Sequence, residues 1–240
     1  MTIIFTGIAP RLIVMTVDSA VTNTFSDHRE YDTGRKSYDF PGIGVVATWG
    51  ERSGNNIGQY LGKANITPQS HSIDDLRNIV WDFLKNQFMP QESNLGNVGY
   101  HIAGFNKNGQ PRFYQILWAT RHRNPNENEI REYQNCDSSP APKTLQLAYD
   151  GRFDLAHKMV NILIEEINTG KDVRYDVSTS VGLIQLGDFV VRFASELTPE
   201  VGPPFSTYII NPDNRIEIIR NRSLTPLAIA EIRDVLTLLE

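Results

Sequence analysis

Two residues near the start of the chain carry side chains that could do chemistry together: Thr2, directly behind the initiating Met1, and Asp18. Threonine is small enough for an aminopeptidase to remove Met1, and removal leaves one residue carrying both a hydroxyl and a free α-amine. A threonine hydroxyl is a poor nucleophile until a base takes its proton, and an α-amine with a reference pKa of about 7.7–8.0 is partly neutral near neutral pH. With Met1 attached the same nitrogen is an amide and cannot act as a base. Position alone favours an ordinary second residue of an edge strand, so the chemical reading needs support from further along the chain.

The element that must position both residues is the run from Met1 to Asp18. Two apolar, β-branched stretches flank Ala9-Pro10-Arg11, and proline pre-sets the backbone at the second position of a turn, so the run reads as a β-hairpin. Positions 2 and 18 are equidistant from residue 10, so a fold there predicts Thr2 opposite Asp18 at the open end.

Further along, Ser19 to Gly34 is polar and reads as a loop. Gly42 to Gly50 reads as a buried strand, so three strands precede any helix. A short helix is expected over Ser53 to Leu61. A stronger one is expected behind an N-cap at Ser72, with Ile73, Leu76, Ile79, Val80, Phe83 and Leu84 at helical spacing and Pro90 closing it. Val98 to Phe105 and Arg112 to Thr120 form strands joined at Asn108-Gly109, a strong hairpin signal. The Asn- and Pro-rich stretch from Arg121 to Lys143 reads as a rim loop with one strand at Ile130 to Tyr133.

Helical spacing returns over Phe153 to Asn168, with Gly170 at the C-cap position. Val177 to Leu197 is a more apolar helix, expected between layers. Phe205 to Ile210 and Arg215 to Ile219 are closing strands around Asn211-Pro212-Asp213-Asn214, and Pro226 starts a terminal helix. Strands and helix pairs in this order, without βαβ alternation, predict an α+β fold. Its expected architecture is two antiparallel sheets packed face to face in a four-layer αββα sandwich, forming a single domain over residues 1–240.

A chain of 240 residues can bury a sizeable core. Its 23 basic and 28 acidic residues give a net charge of −5, which argues against a nucleic-acid or anionic-membrane partner. The one cysteine, Cys136, excludes an internal disulfide, and no Cys/His spacing spells a zinc site. The apolar N-terminus lacks a basic flank and is broken by Pro10-Arg11, unlike a secretory signal. No apolar run spans a bilayer, so a cytoplasmic protein is expected. None of the five histidines has partners at triad or metal spacing, His101 and His157 read as structural or surface groups, and Asp74-Asp75 and Glu165-Glu166 read as solvated helix faces.

Val17-Asp18-Ser19-Ala20-Val21-Thr22 resembles a Val/Ala-Asp-Ser-x-x-Thr motif. Lys36, Asp39-Phe40 and Ala47-Thr48-Trp49-Gly50 resemble a lysine strand ending in glycine, and Val201-Gly202-Pro203-Pro204-Phe205 resembles a Gly-Gly-Pro-Ile step. By these pieces, in this order, the chain resembles the proteasome-like branch of the N-terminal-nucleophile hydrolases, the threonine peptidases, over nearly its whole length. The resemblance implies Thr2 as nucleophile and, through its freed amine, as base. It implies a buried ion pair of Asp18 and Lys36 beside it, Gly50 as an oxyanion donor through its backbone N–H, and Thr22 pairing with substrate backbone. Arg35 is the alternative cation if the register slips by one, Gly50 reads equally as a strand-ending turn glycine, and Thr22 equally as a loop residue.

Departures from the family pattern are Tyr149-Asp150-Gly151 where many members have Gly-Ser-Gly, and Glu51-Arg52 after Gly50. Asp150 reads as a proton acceptor near the amine or as an N-cap for the Phe153 helix. The implied function is a threonine-type peptidase acting through an acyl-enzyme on peptide or protein substrates. It would work in a homo-oligomeric ring, with an ATP-dependent unfoldase as a partner and no cofactor. Two alternatives share the fold: a non-catalytic shell subunit, and a ligase or transpeptidase in which an amine intercepts the acyl-enzyme.

Overall fold

A computed structural model describes residues 2–9, 11–24, 29–50, 57–88, 98–118, 129–132, 146–150, 179–197 and 201–220. The chain opens with the expected hairpin, β1 (Ile4–Ala9) and β2 (Leu12–Val17). Its register differs by one from the prediction. Ala9 pairs with Leu12 and Ile4 with Val17, so two residues rather than three separate the strands, and Ile3 instead of Thr2 stands level with Asp18. Loop length sets the register of a hairpin, and a one-residue change moves every facing pair.

The polar stretch after Asp18 is not a loop but a ribbon of its own, β3 (Ala20–Thr24) paired with β4 (Arg29–Thr33). Val21, Thr22, Thr24, Tyr31 and Thr33 supply β-branched and aromatic residues to the ribbon, and that preference prevails over its polar composition. Its base is fastened by the Gly34 N–H to Ser19 O at 2.8 Å and by the Ser19 N–H to Gly202 O at 3.3 Å. β5 (Ser37–Phe40) and β6 (Gly44–Gly50) follow, so six strands, not three, precede the first helix.

Helix α1 (Ile57–Lys63) begins inside the expected span, and α2 (Ile73–Phe83) begins at the expected cap. The Asp75 N–H donates to Ser72 Oγ, and the Ser72 N–H donates to the Asp75 carboxylate at 2.8 Å, a reciprocal capping box. Beyond Phe83 the chain continues as a π-helical turn, Leu84–Phe88. Then come β7 (Val98–Phe105) and β8 (Pro111–Trp118), turned at Gly109 with φ +69°, and β9 (Glu129–Glu132) inside the expected rim loop. A strand with no prior counterpart, β10 (Gln146–Asp150), precedes α3 (Ser180–Leu197), and β11 (Ser206–Ile210) and β12 (Ile216–Arg220) close the described chain. Cys136, Pro90, the helix predicted from Phe153 with Gly170, and the helix predicted from Pro226 lie outside the described residues.

The two large sheets are both five-stranded and antiparallel, with orders β10-β1-β2-β11-β12 and β5-β6-β7-β8-β9. Between them, Ile4, Ile8, Ile13, Met15, Val17, Tyr208 and Ile210 of the first sheet share a buried core with Val45, Ala47, Ala103, Phe105 and Phe113 of the second. The opposite face of the second sheet carries Val46, Tyr100, Ile102, Tyr114 and Ile116 against Ile57, Leu61, Leu76, Val80 and Phe83 of α1 and α2. On the far side of the first sheet, α3 packs on β1 and β2. Its Leu183, Leu186, Phe189, Val190, Val191 and Phe193 are all buried, and Val181 at its start is 62 % exposed. Among the described residues no helix is long and apolar enough to cross a membrane.

Candidate active site

Antiparallel pairing brings several strand ends to one end of the molecule. There β1 starts, β2 ends beside it, β11 starts against Val17, and β10 ends opposite Ile4. In the second sheet β5 starts and β6 ends at one edge, because Ser37 pairs with Ala47. An ion pair between Asp18, just past β2, and Lys36, just before β5, joins the two groups. Lys36 Nζ donates to Asp18 Oδ2 at 3.0 Å, with Lys36 5 % exposed and Asp18 fully buried.

The second carboxylate oxygen faces the start of the chain. The Ile3 N–H donates to Asp18 Oδ1 at 2.9 Å, and Gly202 adds a backbone hydrogen bond to the same carboxylate. That Ile3 N–H belongs to the peptide bond that begins at Thr2, so Asp18 holds both the lysine and the link to the residue with the candidate hydroxyl. Thr2 itself is 5 % exposed.

Burial pushes the Asp18 carboxyl above the ordinary carboxylate range. The Lys36 charge and the hydrogen bonds from Lys36, Ile3 and Gly202 oppose the shift. Burial likewise pushes the Lys36 ammonium below the ordinary lysine range, and Asp18 opposes that shift by its charge and its hydrogen bond. Each group is thus the principal compensation for the other's desolvation. Arg35, the alternative cation, points elsewhere: its side chain is 64 % exposed, pairs with Asp39 at 3.6 Å and lies over the Tyr38 ring at 4.8 Å.

Gly50 ends β6 at φ +109°, a conformation that residues with a Cβ rarely adopt, and it pairs with Val98. Next to it, Trp49 lies across Gly99 of β7, where an added Cβ would collide with the indole nitrogen. Among the described residues the buried indole N–H of Trp49 has no hydrogen-bond partner. Thr22 stands on β3 opposite Tyr31, in the ribbon whose base meets Gly202 through Ser19. Asp150 ends β10 level with Ile4, and the helix it was expected to cap is outside the described residues.

The geometry therefore gathers Asp18, Lys36 and the Thr2–Ile3 peptide, and puts Gly50 at the same edge as Lys36. Two contributors were not predicted. Gly202 acts on Asp18 through its backbone, which has no side-chain signature. Ser37, adjacent to Lys36, hydrogen-bonds Tyr208 OH across the sheets at 2.7 Å. His101 is fully buried and bonded through Nδ1 to Thr6 Oγ1 at 2.8 Å, in keeping with a structural role. Asp74 is not simply a solvated helix residue, because it accepts a hydrogen bond from the Tyr114 hydroxyl. Among the described residues no cluster of three His, Cys, Asp or Glu side chains could hold a metal ion.

No family model matches the sequence, and no curated protein matches it. Solved structures do. A Gly-1 mutant of Anbu from Hyphomicrobium sp. strain MC1 superposes with a TM-score of 0.69 at 14 % identity, covering 100 % of this chain and 96 % of that one. Anbu from Yersinia bercovieri, described as an ancestral beta-subunit, gives 0.65 at 11 % identity, covering 99 % and 94 %. The helical assembly of the Anbu complex from Pseudomonas aeruginosa gives 0.62 at 14 % identity, covering 99 % and 93 %.

These findings correct the assignment drawn from the motifs. The structures this chain is similar to are Anbu proteins, a family distinct from the threonine peptidase branch named above. Short motifs around a fold's strand ends are shared by its branches, so they point to the fold without separating its families. At these identities the comparison establishes one thing: the chain has the fold of the Anbu proteins.

Proposed function

We propose that this chain is a subunit of a proteasome-related assembly and that it hydrolyses amide bonds with the hydroxyl of Thr2, after Met1 is removed. The observation that carries the reading is the buried Lys36–Asp18 pair, fastened through the Ile3 N–H to the peptide that follows Thr2. A purely structural end of a sandwich has no need of two buried charges there, because an apolar replacement of similar volume is commonly as stable or more so.

In the proposed reaction Thr2 Oγ1 attacks the substrate carbonyl carbon and gives its proton to the freed α-amine. The Lys36 ammonium disfavours a second positive charge beside it, which keeps that amine available as a base, and it offsets the charge developing on the threonine oxygen. The Gly50 N–H donates to the oxyanion of the tetrahedral intermediate. Collapse breaks the C–N bond, the leaving amine takes the proton held by the α-amine, and an ester on Thr2 remains. Water then attacks the ester, with the same amine as base, to release the acid and restore the hydroxyl. Thr22 on the β3 ribbon would pair with the extended substrate.

The inter-sheet core and the helix contacts on both outer faces support the four-layer αββα reading in a single domain over residues 1–240. The helical assembly named for the Pseudomonas aeruginosa protein favours self-association of this chain as well. We further propose a peptide or protein substrate, an unfoldase as a partner for folded substrates, and a cytoplasmic setting.

The test combines intact mass with turnover of peptide amides by the assembled protein. Loss of Met1, together with a fall of at least about a thousand-fold in Thr2→Ala, is expected. Retained Met1 or unchanged turnover in Thr2→Ala would leave the chain as a structural subunit, and products joined to an added amine would identify a transpeptidase. The pH profile of kcat/KM should be bell-shaped. Its acid limb reports the α-amine, and its alkaline limb reports Lys36, below the ordinary lysine range.

A further inference from the structure

The ion pair spans two sheets, so its geometry depends on how one sheet sits on the other. Asp18 hangs from the end of β2 in the first sheet, and Lys36 stands just before β5, which among the described residues is an edge strand of the second sheet and pairs with β6 alone. An edge strand of four residues with one neighbour is weakly constrained compared with the strands inside the sheet. The Lys36 carbonyl is held by the Thr48 N–H at 2.8 Å, which fixes it to its own sheet but not to the other.

Ser37 supplies the missing tie. Its hydroxyl is buried and lies 2.7 Å from Tyr208 OH, and Tyr208 sits on β11, beside β2, with its ring in the inter-sheet core. Ser37 is the residue immediately after Lys36, and β11 begins level with Val17, immediately before Asp18. The tie therefore runs from the lysine's own neighbour to the strand that flanks the aspartate.

From this juxtaposition we infer that Tyr208, through Ser37, is a positioning residue for the Lys36–Asp18 pair, holding the lysine at its working distance across the sheet interface. The inference rests on the hydrolytic reading for its effect on rate, but not for its effect on the lysine. Asp18, from the end of β2, faces Lys36 as its counter-charge, and the proposed reaction adds the freed α-amine at Thr2. On its own strand Arg35, Tyr38 and Asp39 interact with one another at the exposed edge. Removing the Tyr208 hydroxyl leaves Ser37 Oγ buried and short of this partner, so β5 is expected to shift outward or admit water, and the ammonium becomes better hydrated.

The test uses the full chain in its assembled form, with 13C-labelled lysine followed by NMR, alongside the pH profile of hydrolysis. Tyr208→Phe is expected to raise the Lys36 titration toward the ordinary lysine value and to move the alkaline limb of kcat/KM with it. It should lower kcat by about ten- to a hundred-fold with little change in KM, as misplacement of a catalytic group does. Ser37→Ala should act in the same direction, and the double variant should be no worse than the more damaging single one. An unmoved Lys36 resonance in both folded variants would overturn the inference, as would rate losses that simply add. If the wild-type assembly hydrolyses nothing, the proposed reaction fails while the lysine titration still decides whether Tyr208 positions the pair.

Discussion

The two faces of the second sheet are built on different rules. Toward α1 and α2 the contacts are mainly apolar, beside the hydrogen bond from the Tyr114 hydroxyl to Asp74: Val46, Ile102 and Ile116 meet Leu76, Val80 and Phe83, and fully burying each such side chain is worth about 1.5–3 kcal/mol. Toward the first sheet, the same strands mix that chemistry with buried polar links between side chains, Thr6 to His101, Ser37 to Tyr208 and Lys36 to Asp18 among them. The helix-covered face gains from burial wherever side chains fill space, whatever their precise orientation. The inner face has an apolar core as well, and its polar links gain only when particular atoms meet. Both faces bury apolar side chains, and the links that fix one sheet relative to the other lie on the inner one.

The largest effect should come from breaking the pair. Asp18→Asn is expected to abolish turnover in the proposed reaction and to destabilise the fold by about 3–5 kcal/mol, since an ammonium stays buried without its counter-charge. The double variant Asp18→Leu with Lys36→Met sharpens the contrast. It should recover most of that stability in denaturant titration while turnover stays lost.

On the opposite face, Leu76→Ala should cost about 2–5 kcal/mol by cavity formation, yet leave turnover per folded molecule unchanged. Equal loss of turnover in that variant would mean the two faces are not separable.

A third variant probes the far end of the inner interface. Asn214 donates through Nδ2 to Phe105 O at 2.8 Å and accepts the Phe105 N–H at 2.7 Å, so its amide acts as a short partner strand for β7. Its backbone has φ +53°, which glycine tolerates, so Asn214→Gly deletes the amide without adding strain. A loss of about 1–3 kcal/mol is expected, with the Lys36 titration unmoved.

The smallest effect lies at the cap of α2. Ser72→Ala should cost about 1 kcal/mol near neutral pH. Hydrogen bonds from Ser72 hold the Asp75 carboxyl below its ordinary range, so its contribution is complete above that range and fades as the pH falls through the folded-state value. The gap between wild type and variant should therefore narrow in acid.

Legibility in the sequence followed the range of the interaction. The Pro10-Arg11 turn, the Asn108-Gly109 turn and the Ser72 cap are local signals, and the elements they delimit are present. Asp18 and Lys36 were legible as a pair through their motif context. The ribbon over residues 20–33 was not, because its polar composition masks a β preference that is satisfied by pairing with itself. β10 was missed because its partner β1 lies about 140 residues earlier in the chain. The hairpin register turned on one residue of loop, which composition does not fix. Gly202 and the Ser37–Tyr208 tie depend on a backbone donor and on two distant hydroxyls, neither of which leaves a pattern in a single sequence.

Gly99 has a consequence reaching beyond its own strand. By lacking a side chain it gives the Trp49 indole a hollow to settle into, one residue from Gly50. Filling that hollow leaves the ring no depth, so a methyl group on β7 would push the indole outward beside Gly50, whose N–H the proposed reaction uses. Gly99→Ala thus moves the indole without touching any group that makes or breaks a bond in the proposed reaction. Large acyl groups should be refused first and small ones last, with the change in Trp49 fluorescence marking how far the indole has moved.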